Sequence, residues 1–116
     1  MVCTNPDLVV HRGLKKEYCA GTLAEIFKEL GGEVIYFGKP YAEIYSFCIK
    51  KNETILVIGD NIRTDIKGAN NMKLDSLLIT GGVHKVDFLN LPQNDYDKML
   101  DTYEAKANYY QESLNW

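Results

Sequence analysis

No apolar run in this chain approaches the length of a membrane span. Residues 1–20 also lack the continuous apolar stretch of a secretory signal. Both absences lead to the expectation of a cytoplasmic protein with no membrane partner. Cysteine is sparse: Cys3, Cys19 and Cys48 form an odd set with no Cys-x-x-Cys pair. That excludes a disulfide framework and a zinc site by spacing, and it fits reduced, structural thiols. An excess of positive charge is missing as well. The formal charge is −3 and the isoelectric point near 5.3, and Lys15-Lys16 and Lys50-Lys51 are short, solvated pairs, so nucleic acid is not expected as a partner. Internal repeats and low-complexity tracts are also lacking.

What is present looks like an ordinary globular protein, 46% hydrophobic and 25% charged. A chain of 116 residues makes one domain at most. Along it, strand and helix signals alternate. Asp7 to Val10 is a short apolar stretch, and Gly13 to Cys19 is polar and linker-like. Ala20 to Leu30 places Leu23, Ile26, Phe27 and Leu30 at helical spacing, and Gly31-Gly32 ends it. Glu33 to Phe37, Thr54 to Ile58 and Ser76 to Thr80 are β-branched or apolar and read as strands. Between them, Pro40 to Lys50 reads as a helix with Ile44, Phe47 and Cys48 inward, and Thr64 to Asn71 as a helix capped by Asn61 or Thr64. From Asp95, the spacing of Tyr96, Met99, Leu100 and Tyr103 predicts a helix to about Lys106, followed by a short extended piece at 109–111. Alternation of this kind specifies an α/β protein with a parallel sheet and right-handed crossovers.

The chemistry concentrates at strand ends. Gly59-Asp60-Asn61-Ile62-Arg63-Thr64-Asp65 follows the Thr54 to Ile58 strand, and Gly38-Lys39-Pro40 follows the strand before it. In open α/β sheets ligands bind outside the carboxyl ends of the strands. A carboxylate pair there suits Mg²⁺, a hard cation that takes oxygen ligands and keeps waters and substrate phosphate in its shell. A bland reading stands beside each residue. Asp60 and Asp65 could be first-turn carboxylates favoured by the helix dipole, Lys39 a solvated loop lysine, His11 and His84 surface loop residues, and Trp116 and the tail tyrosines packing residues.

Four ordered blocks go further: Thr4-Asn5-Pro6-Asp7; Cys19-Ala20-Gly21-Thr22-Leu23-Ala24; Gly38-Lys39-Pro40 with Ile44-Tyr45; and Gly59 to Ile66 with Gly68-Ala69-Asn70. Together they resemble the haloacid dehalogenase (HAD) superfamily, class IIA, the NagD-like sugar and nucleotide phosphatases. The resemblance implies a three-layer Rossmann-like HAD core and Mg²⁺-dependent hydrolysis of a small-molecule phosphate ester. It makes Lys39 an electrostatic clamp, Asp60 a direct Mg²⁺ ligand and Asp65 a second metal-side carboxylate. Asn5, Asp7 and Asn61 would lie toward substrate, while Gly38, Pro40, Gly59 and Thr64 would shape the loops. Residues 1–19 would be a cap-exit or linker segment and 20–116 the α/β core portion.

The same resemblance implies a partial enzyme. The family's Asp-x-Asp-Gly motif, which supplies the nucleophile and the general acid/base, occurs nowhere in the chain. Asp95-Tyr96-Asp97 has the spacing, but Lys98 follows and no strand precedes, so it reads as a polar helix start. The expectation is a core lacking its nucleophile strand and cap domain, inactive alone and weak in Mg²⁺ binding. Its strand edge would recruit a second copy or a separate N-terminal fragment, or the strand order would rearrange. The alternative is a non-catalytic α/β interaction domain. A phosphoacceptor receiver is disfavoured because its lysine follows its acidic positions, whereas Lys39 precedes Asp60. Two departures from the family pattern, Asn70-Asn71 where Ala-Gly is usual and Ala42 where Pro is usual, leave the chemistry untouched.

Overall fold

The computed structural model describes residues 1–50 and 53–115; Lys51 and Trp116, both read above, lie outside them. The element order is β1 (Val2–Cys3), β2 (Val9–Arg12), β3 (Lys15–Tyr18), α1 (Ala20–Glu29), β4 (Ile35–Tyr36), α2 (Ala42–Ser46), β5 (Leu56–Gly59), a π-helical turn (Ile62–Ile66) running into α3 (Lys67–Asn71), β6 (Asp75–Ile79), α4 (Lys85–Phe88), α5 (Tyr96–Asp101) and β7 (Tyr109–Gln111). This is an α/β fold whose interstrand pairs are parallel except in one hairpin.

The parallel strands fall into two groups. β1 pairs with β4, with Val2 opposite Ile35 and Cys3 opposite Tyr36. β5, β6 and β7 form a second sheet in that order, with Ile58 opposite Leu77 and Leu78 opposite Tyr110. Among the described residues β5 therefore has one strand neighbour and one free edge. The packed core belongs to the second sheet. Ile62, Ile66, Leu78, Phe88, Leu100 and Ala105 are buried together, with Tyr96, Met99, Tyr103 and Tyr110 against them. Phe88, Tyr96 and Tyr110 stack edge to face in a chain at 4.8 and 5.2 Å, a geometry that suits ring quadrupoles.

The first sheet has little core. Of its helix, only Gly21 and Ala24 are buried, while Leu23, Ile26, Phe27 and Leu30 remain exposed. The helical spacing predicted for this stripe is present, and the stripe faces outward. Gly21 shows how α1 is seated. A Cβ there would overlap the carbonyl oxygens of Pro6 and Asp7, so glycine lets the first turn close onto the Pro6–Asp7 segment. The Cys19 amide and the Thr22 hydroxyl both donate to the Leu8 carbonyl, at 2.9 and 2.6 Å.

Three local expectations are corrected. Gly13 to Cys19 is not a linker: β2 and β3 form an antiparallel hairpin with Val9 opposite Tyr18 and Arg12 opposite Lys15. Gly13 at φ +63° makes its turn, and Glu17 takes an ion pair from Arg12 across the strands and one from Lys15 along its own strand, each 3.2 Å. A polar composition disguised a two-sided, solvent-facing ribbon. The second helix covers only Ala42–Ser46, and Ile44, Phe47 and Cys48 are all exposed rather than inward, Phe47 to 85%. The last helix stops at Asp101 rather than near Lys106, because Ala105 turns back into the core and the Asn70 side chain clamps the Lys106 backbone in both directions, at 2.8 Å each.

Candidate active site

The carboxyl ends of the parallel strands converge on one cavity of about 860 Å³. β1 runs out into Asn5 and Asp7, β4 into Gly38-Lys39, β5 into Asp60 and Asn61, and β6 into Gly81-Gly82-Val83. Asn5, Asp7, Lys39, Asp60, Asn61 and Asp65 all line this space. The six polar site residues expected from the sequence are thus brought together from segments far apart in the chain.

Asp65 is the best-anchored member. Its Oδ1 accepts from the Lys39 ammonium at 2.5 Å, and its Oδ2 accepts from the Asn61 backbone amide at 3.1 Å. The carboxylate is buried, while the lysine is about half-exposed. Burial by itself would lower the Lys39 pKa; the hydrogen bond and charge of Asp65, with Asp7 behind it, outweigh this and raise it above 10.5. The lysine is therefore held as a cation.

The π-helical turn explains how Asp65 comes inward. The Ile66 amide reaches back five residues to the Asn61 carbonyl at 3.3 Å, and the Asn61 side chain accepts the Arg63 amide at 3.0 Å. The wider turn buries Ile62, Thr64, Asp65 and Ile66 together; such widened turns recur at functional sites. Gly59 is required beneath it, since a Cβ there would overlap the Asp65 carboxylate.

Asp7 ties the two sheets together. Its Oδ1 accepts from Asn61 Nδ2 at 3.0 Å and from Thr64 Oγ1 at 2.7 Å, and its own amide donates to Asn5 Oδ1 at 3.2 Å. Gly38, at φ +93°, packs under the Thr4 carbonyl and Pro6. The Lys39–Pro40 bond is cis.

Asp60 is the least committed carboxylate. Its Oδ2 accepts from the Val83 amide at 2.9 Å, and Oδ1 has no partner among the described residues. Gly82 again leaves room, as a Cβ there would overlap the Asp60 side chain. A hard dication needs oxygen ligands and accepts one or two carboxylates, with waters and phosphate completing its shell. The free Asp60 oxygen fits such a contact. Among the described residues no group of three or more His, Cys, Asp or Glu side chains gathers into a fuller cage.

Several contributors escaped sequence reasoning. Val83 and Gly82 touch Asp60, and Gly81-Gly82 reads from sequence only as a strand terminator. His11 and Arg12 line the cavity from β2, so His11 is a strand residue and not a loop one. His84 is 8% exposed, packs edge to face on Tyr103 at 5.4 Å, and meets Asp87 at 3.0 Å through Nδ1; it is a buried residue rather than a surface one. Nothing in the local sequence around either histidine encodes this.

Comparison with known proteins gives a consistent picture. The HAD-hydrolase-like family profile matches residues 36–106. Ribonucleotide monophosphatase NagD of Escherichia coli K12 is 32% identical over 90 residues, which is 74% of this chain and 35% of that protein. A haloacid dehalogenase-like hydrolase from Brucella suis 1330 superposes with a TM-score of 0.76 at 32% identity, over 98% of this chain and 44% of that one. A glycerol phosphate phosphatase from Mycobacterium tuberculosis, solved in complex with calcium, gives a TM-score of 0.58 at 28% identity, over 71% of this chain and 25% of that one. The chain therefore spans about a third of the length of the curated relative NagD.

Proposed function

From the premise that this chain belongs to the HAD-hydrolase-like family, on its NagD-like side, we propose that it carries the lysine-and-carboxylate half of a phosphate monoester hydrolase. The observation that carries the reading is the convergence of Lys39, Asp60 and Asp65 on one cavity at the carboxyl ends of parallel strands. Lys39 presents a fixed positive charge to phosphoryl oxygens, and Asp65 aims it. A charge oriented in advance stabilises the transition state without reorganisation. Asp60 offers its free oxygen to Mg²⁺, which when bound neutralises phosphate charge next to an attacking carboxylate. Asn61 and Asp7 form the cavity wall, with Asn5 beside them, on the side where a small-molecule ester would enter.

The attacking carboxylate must come from elsewhere, since Asp-x-Asp-Gly is absent from the 116 residues. The isolated chain is accordingly proposed to be inactive, to bind Mg²⁺ weakly, and to need a polypeptide bearing that motif. The test is hydrolysis of a generic aryl phosphate with Mg²⁺, run on the chain alone, on the chain with an Asp-x-Asp-Gly fragment taken from a NagD-like relative, and on Asp60→Asn with the same fragment. The expected outcome is turnover only in the second mixture. Activity of the chain alone that Asp60→Asn abolishes would mean an unrecognised nucleophile and would overturn the half-site reading. A second reading, a non-catalytic interaction domain, draws on the free edge of β5; lack of turnover in every mixture, with the fragment bound, would favour it.

A further inference from the structure

We infer that Asp7 is a positioning residue: its carboxylate, carried on the segment that leaves β1, holds the 60–65 turn after β5 in the shape that a divalent cation needs, without touching the cation itself. The hold on the turn rests on bonds within the chain; that the turn takes a cation rests on the proposed function.

The turn has one hub, Asn61, and every polar group of that residue is in use. Its backbone amide donates to Asp65 Oδ2 at 3.1 Å, and its carbonyl accepts from the Asp65 and Ile66 amides at 2.9 and 3.3 Å. Its side-chain oxygen accepts from the Arg63 amide at 3.0 Å. The side-chain nitrogen is what remains, and it donates to Asp7 Oδ1 at 3.0 Å. Asp60 directly precedes this hub and Asp65 hangs from it, so the spacing of the two carboxylates follows the setting of Asn61.

Thr64 supplies a second attachment. It is buried, 4% exposed, and its hydroxyl donates to the same Asp7 oxygen at 2.7 Å. Asp7 is the acceptor that satisfies this hydroxyl, and a buried hydroxyl left without one is costly. A single carboxylate oxygen thus grips the turn at two points, from a segment 54 and 57 residues away in the chain. Groups that orient metal-binding carboxylates are typically worth about 10–100-fold in metal affinity.

Holding and ligating make different demands on residue 7. Asp7, Asp60 and Asp65 do not gather into a three-carboxylate cage among the described residues. Both bonds to the turn end on Oδ1, and the carbonyl oxygen of an asparagine could accept both. In that pose the asparagine would place its amide nitrogen where Oδ2 stands, and an amide nitrogen is a donor that offers a hard cation nothing. The hold therefore needs an acceptor, whereas a ligand needs the second, anionic oxygen.

The test is Mn²⁺ affinity, read from the paramagnetic resonance signal of the free ion, together with amide exchange at Asn61 and Arg63, on the full chain. Mn²⁺ suits the same carboxylate and water ligands as Mg²⁺. Asp7→Ala is expected to weaken Mn²⁺ binding about tenfold and to speed exchange at both amides. Asp7→Asn keeps the acceptor and is expected to restore both. Thr64→Val removes one donor and is expected to shift both readouts the same way by less, adding nothing in the double variant with Asp7→Ala. Should Asp7→Ala unfold, the loss in Thr64→Val and the wild-type behaviour of Asp7→Asn decide. An Asp7→Asn chain as weak for Mn²⁺ as Asp7→Ala, with its amides still protected, would make Asp7 a ligand and overturn the inference. Affinity and exchange that ignore Asp7→Ala, or losses that simply add in the double variant, would overturn it as well. Mn²⁺ bound equally by wild type and Asp60→Asn, or by neither, would sink the cation clause and the metal half of the phosphatase reading together. Faster exchange in Asp7→Ala would then leave the hold on the turn standing.

Discussion

Lys39 and Asp65 illustrate how one contact serves stability and chemistry together. The Asp65 side chain is 9% exposed and that of Lys39 45%, so the pair lies between a surface bridge, worth about 0–1 kcal/mol, and a buried one whose rupture costs about 3–5 kcal/mol. Lys39→Met is expected to cost about 1–2 kcal/mol at neutral pH, read by urea unfolding. The lysine pKa is raised in the folded chain above its ordinary 10.5. Its contribution is therefore complete below the unfolded value and fades as pH rises through the folded one. Wild type should lose its advantage over Lys39→Met above about pH 10.5; an advantage that is flat through that range would detach the pair from stability. The convergence of Lys39, Asp60 and Asp65 on one cavity was legible in the sequence because Lys39 and Asp60 follow glycine-marked strand ends and Asp65 lies in the turn just after, and strand ends are where α/β sheets bind ligands. The Val83 amide that holds Asp60 was not, because a backbone donor leaves no trace in residue type. The left-handed residue after α3 was not legible either. Asn70 and Asn71 are the residue types that tolerate that conformation, yet α3 runs through both to its cap at Met72, and Lys73, one residue past the cap, adopts it at φ +57°.

At the level of elements, strands and their end glycines read well, whereas short helices did not. β5, β6 and β7 lie within or beside the stretches their apolar runs suggested. α2 has five residues, and its contact with the next helix is a single one. That packing goes through Tyr45, whose ring sits over Gly68; a Cβ at Gly68 would overlap the tyrosine hydroxyl. The hydroxyl is buried and has no hydrogen-bond partner among the described residues, and leaving such a group unsatisfied costs about 1–3 kcal/mol. Tyr45→Phe should therefore keep the packing and match or exceed wild type by up to about 1 kcal/mol in urea unfolding. Gly68→Ala should expel the ring and cost about 1–3 kcal/mol. A Tyr45→Phe variant as damaged as Gly68→Ala would mean that the hydroxyl has a partner after all. The hairpin was missed for a different reason: its two faces are both wet, so the period-two alternation of a half-buried strand never arises.

Across the whole molecule, burial is unequal. The cluster around Ile62, Ile66, Leu78 and Leu100 belongs to the three-stranded sheet, whereas β1, β4 and α1 bury chiefly Cys3, Gly21 and Ala24. Local opening should therefore require less free energy in the first sheet than in the second. In native-state hydrogen exchange, amides of β6 at Leu77–Ile79 are expected to be the slowest, and those of α1 at least tenfold faster. Equal rates would show that the two sheets open as one unit. No helix among the described residues is long and apolar enough to cross a membrane. The bonds that build the cavity bridge the unequal halves: Lys39 to Asp65 spans 26 residues, Asn61 to Asp7 spans 54, and Thr64 to Asp7 spans 57. Closing long loops takes more chain entropy than forming a hairpin or a helix turn, and long-range contacts slow folding. The two Asp7 contacts are thus longer closures than the pairings of Val2 with Ile35 or Leu77 with Tyr109 that build the sheets. Asp7 is therefore the residue on which the union of the two sheets turns: without its carboxylate the two longest side-chain ties across the cavity are lost together.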